Sequence, residues 1–211
     1  MNIILLGSPG SGKGTQAELL VGKFDLFYLQ TGRLSRKWAK ADPEIKNIIN
    51  SGKLIPEEKM TKFVNNFLED NIPGGKNILF EGYPRYKTQY QFLEKWLSGK
   101  NEKIDAVIFL DISQKEAIKR LASRRTCEKC GEVYNLITNP PKAGMCKCGG
   151  GLVQRKDDIP QAIKTRFLAY KENTKEVVDY AKDKGVLINI DADRPIDLIH
   201  KDIVSKLQKF V

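Results

Sequence analysis

The chain holds a single histidine, His200, and only four cysteines among its 211 residues. Chemistry built on a histidine general base therefore has one residue to draw on. His200 sits in a C-terminal amphipathic stretch, where it is expected to cap or decorate a helix. Long apolar runs are also missing. Ile3–Leu6 and Ala106–Leu110 are far too short to cross a bilayer, so no membrane partner is expected. Met1-Asn2-Ile3-Ile4-Leu5-Leu6-Gly7 shows no basic leader and no small-residue cleavage site, so no signal peptide and a cytoplasmic location are expected. There is no internal repeat and no low-complexity tract. A chain of 23.9 kDa buries roughly 70% of its extended surface, and disulfide staples are not needed to fold it.

What is abundant is positive charge. Lys and Arg total 36 against 26 Asp and Glu, a net +10 that favours anionic partners. Most lysines are scattered as solvated faces of helices would have them. The nine arginines fall at Arg33, Arg36, Arg85, Arg120, Arg124, Arg125, Arg155, Arg166 and Arg194, many beside Gly, Pro or another basic residue. In a lysine-rich chain, arginine there points to a need for the planar, two-pronged donor that fixes phosphates.

Short apolar runs alternate with longer helical stretches, the pattern of a parallel sheet with helices on both faces. Strands are expected at Ile3–Leu6, Phe27–Leu29, Ile78–Phe80, Ala106–Leu110 and Val186–Ile190, each a continuous apolar run suited to burial on both sides. Helices are expected at Lys13–Val21, Pro56–Asp70, Lys87–Leu97, Gln114–Ser123, Pro160–Asp183 and Pro195–Phe210. Two stretches interrupt the alternation. Thr31 to about Glu57 reads as helical, with a turn at Ala41-Asp42-Pro43 and a stop at Gly52; Thr126 to Lys156 is rich in Gly, Cys, Pro and Lys. Both read as insertions placed where ligands bind in open α/β folds. The expected division is a core of 1–29, 58–125 and 157–211, a helical insertion at 30–57 and a Cys-rich insertion at 126–156.

Gly7-Ser8-Pro9-Gly10-Ser11-Gly12-Lys13-Gly14-Thr15 lies between the first strand and a helix. Glycines there let backbone N–H groups turn inward around phosphate, the helix N-terminus adds its positive end, and Lys13 reaches the terminal phosphates. Thr15 supplies a hydroxyl for phosphate or Mg²⁺. Glu81 ends a buried-type strand beside that loop, a position that holds Mg²⁺ through water. Arg85 follows Gly82-Tyr83-Pro84 on a stiff turn suited to a phosphate clamp. Arg120 and Arg124 are four apart and are expected to project from one helix face toward the irregular segment, with Arg155 and Arg166 flanking its far end. Phosphoryl transfer is mostly positioning and charge neutralisation, and a phosphate acceptor is already an anionic nucleophile that needs no general base.

All four cysteines lie within 22 positions, as Cys127-Glu128-Lys129-Cys130-Gly131 and Cys146-Lys147-Cys148-Gly149-Gly150. Four thiolates so spaced fit tetrahedral Zn²⁺ in a small ribbon, a structural site with no open position. Two disulfides are the alternative and do not suit a reducing compartment.

From Met1 to the final helix these residues resemble the adenylate kinase family. The resemblance is carried by Gly7–Thr15, Thr31-Gly32 with Arg36, Gly82-Tyr83-Pro84-Arg85 with Gln89, the Arg120/Arg124 pair, and Arg155-Lys156-Asp157-Asp158 with Arg166. It implies reversible transfer between ATP and AMP, giving two ADP, with Mg²⁺. It makes the insertion at 30–57 monophosphate-binding and the one at 126–156 a zinc-ribbon lid. By that resemblance Gly10, Ser11, Gly12, Lys13, Gly14, Thr15, Arg120, Arg124, Val133, Tyr134 and Arg194 hold ATP. Thr31, Gly32, Arg36, Lys53, Leu54, Ile55, Gly82, Tyr83, Pro84, Arg85, Gln89, Arg155 and Arg166 hold AMP. Lys13, Arg85, Arg120, Arg124, Arg155 and Arg166 surround the moving phosphoryl group.

Three positions depart from the family pattern. Arg33 stands where Asp usually follows Thr-Gly, which bears on the acceptor-site ion pairs and acceptor preference. Glu81 stands where Asp usually precedes the clamp, which bears on Mg²⁺ geometry. One residue rather than two separates Cys146 from Cys148. A monophosphate kinase with another acceptor base is one alternative. The other is a zinc-ribbon nucleic-acid-binding ATPase, but the ribbon has only Tyr134 as an aromatic and no basic run interleaved with aromatics, so no nucleic-acid partner is expected. With no spare apolar stripe, a monomer is expected.

Overall fold

The computed structural model describes residues 1–210; Val211, the end of the expected core, lies outside the described residues. The chain runs β1 (Ile3–Gly7), α1 (Lys13–Phe24), β2 (Phe27–Gln30), α2 (Thr31–Trp38), α3 (Pro43–Asn50) and α4 (Glu57–Asn71). It continues through β3 (Ile78–Glu81), α5 (Lys87–Ser98), β4 (Ala106–Asp111) and α6 (Gln114–Ala122). Three short strands follow, β5 (Arg124–Cys127), β6 (Val133–Asn135) and β7 (Leu152–Val153). Then come α7 (Pro160–Ala169), a π-helical turn (Tyr170–Thr174), α8 (Lys175–Asp183), β8 (Leu187–Asp191) and α9 (Ile196–Leu207).

Five strands form one parallel sheet in the order β2-β3-β1-β4-β8. Because successive strand residues point to opposite faces, the apolar run of β1 feeds two separate cores. Ile4 and Leu6 join Phe80, Val107, Val64 and Leu68 of α4, Tyr90 and Leu93 of α5, and Val177 and Ala181 of α8. Ile3 and Leu5 join Leu79, Ile108, Ala17 and Leu20 of α1, and Ile199, Ile203 and Leu207 of α9. Ile3, Ile4 and Leu5 are fully buried, each contributing about 1.5–3 kcal/mol by burial. The parallel sheet with helices on both faces is therefore the one the continuous apolar runs require. From β1 the chain crosses to β2 on one side, while β4 lies on the other, which opens a crevice at the carboxyl end of β1.

The first insertion folds as read. The Asp42 side chain accepts from the N–H groups of Glu44 at 3.0 Å and Ile45 at 3.1 Å, and Pro43 opens α3. Gly52 has φ 78°, and a Cβ there would strike the Ala162 carbonyl, so the insertion rests directly on α7. The second insertion is a three-stranded antiparallel sheet, β6-β5-β7.

One expectation is corrected. Arg124 is not on the helix of Arg120: α6 ends at Ala122 and Arg124 opens β5, so the two side chains meet the cavity from different elements. The helix expected across Pro160–Asp183 is present over those residues, with a π turn at Tyr170–Thr174 joining α7 to α8. Among the described residues no helix is long and apolar enough to cross a membrane.

Candidate active site

A single cavity of about 1050 Å³ lies over the carboxyl end of the sheet, bordered by both insertions. Its floor is the loop from Pro9 to Thr15. The loop is pressed against α6, because Gly10 has φ 87° and any Cβ there would collide with the Ala117 carbonyl. Lys13 Nζ folds back over the loop and donates to the carbonyls of Gly7 at 2.9 Å and Ser8 at 2.8 Å, and to Ser11 Oγ at 3.2 Å. Burial, reinforced by Arg85, pushes its pKa down to about 7. An arriving polyphosphate reverses that pressure by supplying the missing anion.

Beside this loop is a buried lattice of arginines and aspartates. Arg124 grips Asp158 with two bonds, Nε to Oδ2 at 2.7 Å and Nη2 to Oδ1 at 2.6 Å. Arg166 Nη1 donates to the same Asp158 Oδ1 at 2.7 Å and to the Asp157 carbonyl at 3.0 Å. Arg155 grips Asp157, Nε to Oδ1 at 2.8 Å and Nη2 to Oδ2 at 2.5 Å. Burial alone would raise the Asp157 carboxyl; Arg155 and Arg166 outweigh it and hold it at about 2. The cations still outnumber the carboxylates. Burial, with Arg155 adding repulsion, draws both Arg36 and Arg124 down to about 10. Arg85 is lowered by burial as well.

The expected site residues converge almost completely. Gly10, Ser11, Gly12, Lys13, Gly14, Thr15, Thr31, Gly32, Arg36, Lys53, Leu54, Ile55, Glu81, Gly82, Arg85, Gln89, Arg120, Arg124, Val133, Tyr134, Arg155, Arg166 and Arg194 all line this one cavity. Tyr83 and Pro84 do not. Both are buried behind the wall, Tyr83 within the core, where they shape the turn that presents Arg85. Gln89 is 1% exposed; its Oε1 accepts from the Arg85 backbone N–H at 2.8 Å. Arg120 Nε is tied to Glu116 Oε1 at 3.0 Å, and Arg194 Nη2 to Asp202 Oδ2 at 2.8 Å. Arg33 is exposed on α2 and lies outside the cavity lining. His200 is also corrected: it is half-buried and lines the Arg194 end of the cavity, with Nδ1 buried and unpartnered. Tyr170 and Asn135 line the cavity and were missed from the sequence. Asn135 Nδ2 donates to the Arg120 carbonyl at 2.8 Å, a contact between two elements that no local pattern encodes.

Glu81 forms no ion pair among the described residues and lines the cavity alongside Thr15, so a carboxylate and a hydroxyl remain free for a hydrated divalent cation. The four cysteines fit zinc on their own geometry. Their sulfurs all lie within 4.8 Å of one another, with Cys127–Cys148, Cys130–Cys146 and Cys146–Cys148 each at 3.5 Å. Zn–S bonds of roughly 2.3 Å at tetrahedral angles need sulfurs about 3.8 Å apart. The single-residue spacing of Cys146 and Cys148 thus still closes a four-thiol cage. The Tyr134 hydroxyl donates to Cys146 Sγ at 3.5 Å and holds that thiol down at about 6. A Cβ on Gly150 would lie 2.5 Å from Cys127 Sγ, so the turn beside the cage leaves room only for glycine.

Fold and site together define a P-loop phosphotransferase whose second insertion carries a four-cysteine cluster that could bind structural zinc. The sequence profile described as Adenylate kinase matches residues 5–186. The chain belongs to the adenylate kinase family. It is 38% identical over 213 positions to the adenylate kinase of Staphylococcus epidermidis, covering 98% of this chain and 99% of that protein. It is 38% identical over 215 positions to that of Archaeoglobus fulgidus, covering 99% of each.

Proposed function

We propose that this cavity carries out reversible phosphoryl transfer from ATP to AMP, giving two ADP, as an enzyme of adenine nucleotide homeostasis. One observation carries the reading: a single cavity at the upper end of the roughly 300–1,000 Å³ usual for one ligand has its phosphate loop and arginine lattice between two ends lined by different elements. Gly10 to Thr15, Arg120, Arg124, Val133, Tyr134 and Arg194 are assigned to ATP. Thr31, Gly32, Arg36, Lys53 to Ile55, Gly82, Arg85, Gln89, Arg155 and Arg166 are assigned to AMP. Lys13, Arg85, Arg120, Arg124, Arg155 and Arg166 then lie around the transferring group. Mg²⁺, carried with ATP and approached by Thr15 and, through water, Glu81, supplies neutralisation of phosphate charge. Zn²⁺ in the Cys127/Cys130/Cys146/Cys148 cage stiffens the lid.

The acceptor phosphate is its own nucleophile, so the chain's work is to align two anions that repel and to exclude water. The arginines do the first by charge, and the two insertions do the second by closing. In this reading the bodies are 1–29, 58–125 and 157–211 as core, 30–57 as acceptor insertion and 126–156 as lid. The protein acts as a cytoplasmic monomer without nucleic-acid or membrane partners. The test is incubation with Mg-ATP and AMP, GMP, CMP or UMP in turn. Diphosphate formation strongly preferring AMP supports the reading; preference for another acceptor, or ATP hydrolysis alone, overturns it.

A further inference from the structure

Arg36 reaches the cavity without a partner. Arg155 and Arg166 are oriented by Asp157 and Asp158, whereas Arg36 makes no ion pair and no side-chain hydrogen bond among the described residues. Its place at the acceptor end is therefore set by α2 itself. That helix is eight residues long, below the roughly 12–15 that stand alone in water, and no side chain caps its start. Its inner end is tied to the core, because β2 pairs with β3 and Thr31 Oγ1 donates to the Glu81 carbonyl at 3.2 Å. What holds the outer end is an aromatic stack.

Trp38, the last residue of α2, lies on Phe63 of α4 with ring centroids 4.9 Å apart and planes 16° from parallel. The Phe67 ring, one turn along α4, lies 6.5 Å from that of Phe63 and 6.2 Å from that of Phe27 on β2. The segment from Phe27 to Trp38, which carries Thr31, Gly32 and Arg36, is thus pinned to one face of α4 at both ends. Lys59, one turn before Phe63, closes the row. Its Nζ lies 5.3 Å from the Trp38 ring centroid and 3.5 Å from both Asp42 Oδ2 and Glu44 Oε2 at the start of α3. In this same arrangement Gly52, at the far end of the insertion, is seated against the Ala162 carbonyl of α7.

We propose that Trp38 is a positioning residue for acceptor binding: stacked on Phe63 beside Lys59, it holds α2 where Arg36 meets the acceptor phosphate and the insertion rests on α7. An acceptor binds more weakly in proportion as the insertion leaves that arrangement. The stack does not change between ground state and transition state, so it acts on acceptor affinity and not on the chemical step. The proposal rests on the phosphoryl-transfer reading, whose failure shows separately as a wild-type protein that makes no ADP from ATP and AMP.

Trp38→Ala removes the stack. The expected result is a KM for AMP about two- to tenfold higher, the worth of one stacked aromatic pair, with kcat and KM for ATP unchanged. Calorimetric titration of the ligand-free variant with AMP should show the same loss. Trp38→Phe, which keeps a ring on Phe63, should bring KM to within about twofold of wild type. Adding Phe63→Leu to Trp38→Ala should cost AMP nothing further, because the pair is already broken. Should Trp38→Ala fail to fold, Lys59→Met carries the test: it keeps the stem, removes the charge beside the ring, and should raise KM for AMP about two- to fivefold. An unaltered KM for AMP in the variant tested, an equal rise in KM for ATP, or a Trp38→Phe protein as impaired as Trp38→Ala overturns the proposal.

Discussion

Asp158→Asn perturbs the lattice at its least exposed point. The Asp158 side chain is 0% exposed and serves two arginines at once. Its Oδ1 accepts from Arg124 Nη2 and Arg166 Nη1, and its Oδ2 from Arg124 Nε. An amide of the same shape keeps one oxygen, but in either orientation its NH₂ faces a guanidinium donor. The substitution also leaves buried cations without their anion. Breaking a buried pair in this way costs about 3–5 kcal/mol. For a chain of this size each kcal/mol moves Tm by about 2–4 °C, so the midpoint should fall by about 6–20 °C in calorimetry of the ligand-free protein. Turnover should fall by about a hundredfold, because Arg124 and Arg166 both lose their set orientation. A Tm drop below about 3 °C would show that the lattice carries little folding energy. A large drop with intact kcat would show that it has no part in alignment.

Asp157 should make stability depend on pH at the acid end. Its folded pKa of about 2 lies below the ordinary 3.8, so its contribution is complete above pH 4 and is lost as pH falls through 2. The difference is worth about 2 kcal/mol, and Asp157→Asn should flatten the acid-unfolding curve over that window. A slope that survives the substitution would assign it to other carboxylates. Lys13, at about 7 when free, is largely neutral at pH 8.5 and regains its proton when a polyphosphate arrives. Calorimetry of diadenosine pentaphosphate binding in buffers of different ionisation enthalpy should therefore show uptake approaching one proton at pH 8.5 and none at pH 6, with the uptake absent in Lys13→Met. Gly150→Ala should lower zinc content well below one per chain, since the new methyl group intrudes on Cys127 Sγ; full occupancy in that variant would move the metal elsewhere.

What the sequence disclosed, and what it hid, follow from the range of the forces involved. The strand runs, the Asp42-Pro43 cap and the glycine loop are local devices, and the fold uses each where it was expected. The boundary errors arise where local pattern yields to tertiary geometry. Arg124 continues the helical spacing of Arg120, yet the chain leaves α6 after Ala122 to pair β5 with β6 and β7. The π turn has no signature in composition, because it exists to keep Arg166 facing the cavity while Val177 and Ala181 face the core. Tyr83 reads as part of a phosphate clamp by adjacency to Arg85, but its ring is fully buried and only the turn it stabilises touches the site. His200 reads as a cap or decoration of its helix, but α9 packs over α1 and turns it to the cavity, through contacts such as the bond from Gln16 Nε2 to the Ile196 carbonyl at 2.9 Å, 180 residues away in sequence.

Arg33 and Glu81 illustrate how position decides whether a departure from a family pattern matters. A reversed charge close to Arg36 would disturb the acceptor end if both side chains shared one environment. They do not: Arg36 lines the buried cavity, where burial and Arg155 draw it down to about 10, whereas Arg33 is exposed on the same helix and outside the lining. Charges in solvent are screened over about 8–10 Å, so Arg33 acts on the approach of anions more than on their final placement. Glu81 is the opposite case. It ends β3 in register with Gln30 of β2 and Leu5 of β1, and it lines the cavity floor. Its extra methylene extends a free carboxylate toward a space shared with Lys13 and Arg85, both of which it stabilises in their charged forms. Contact through water tolerates that added length, because a hydration shell can adjust where a direct ligand bond would not.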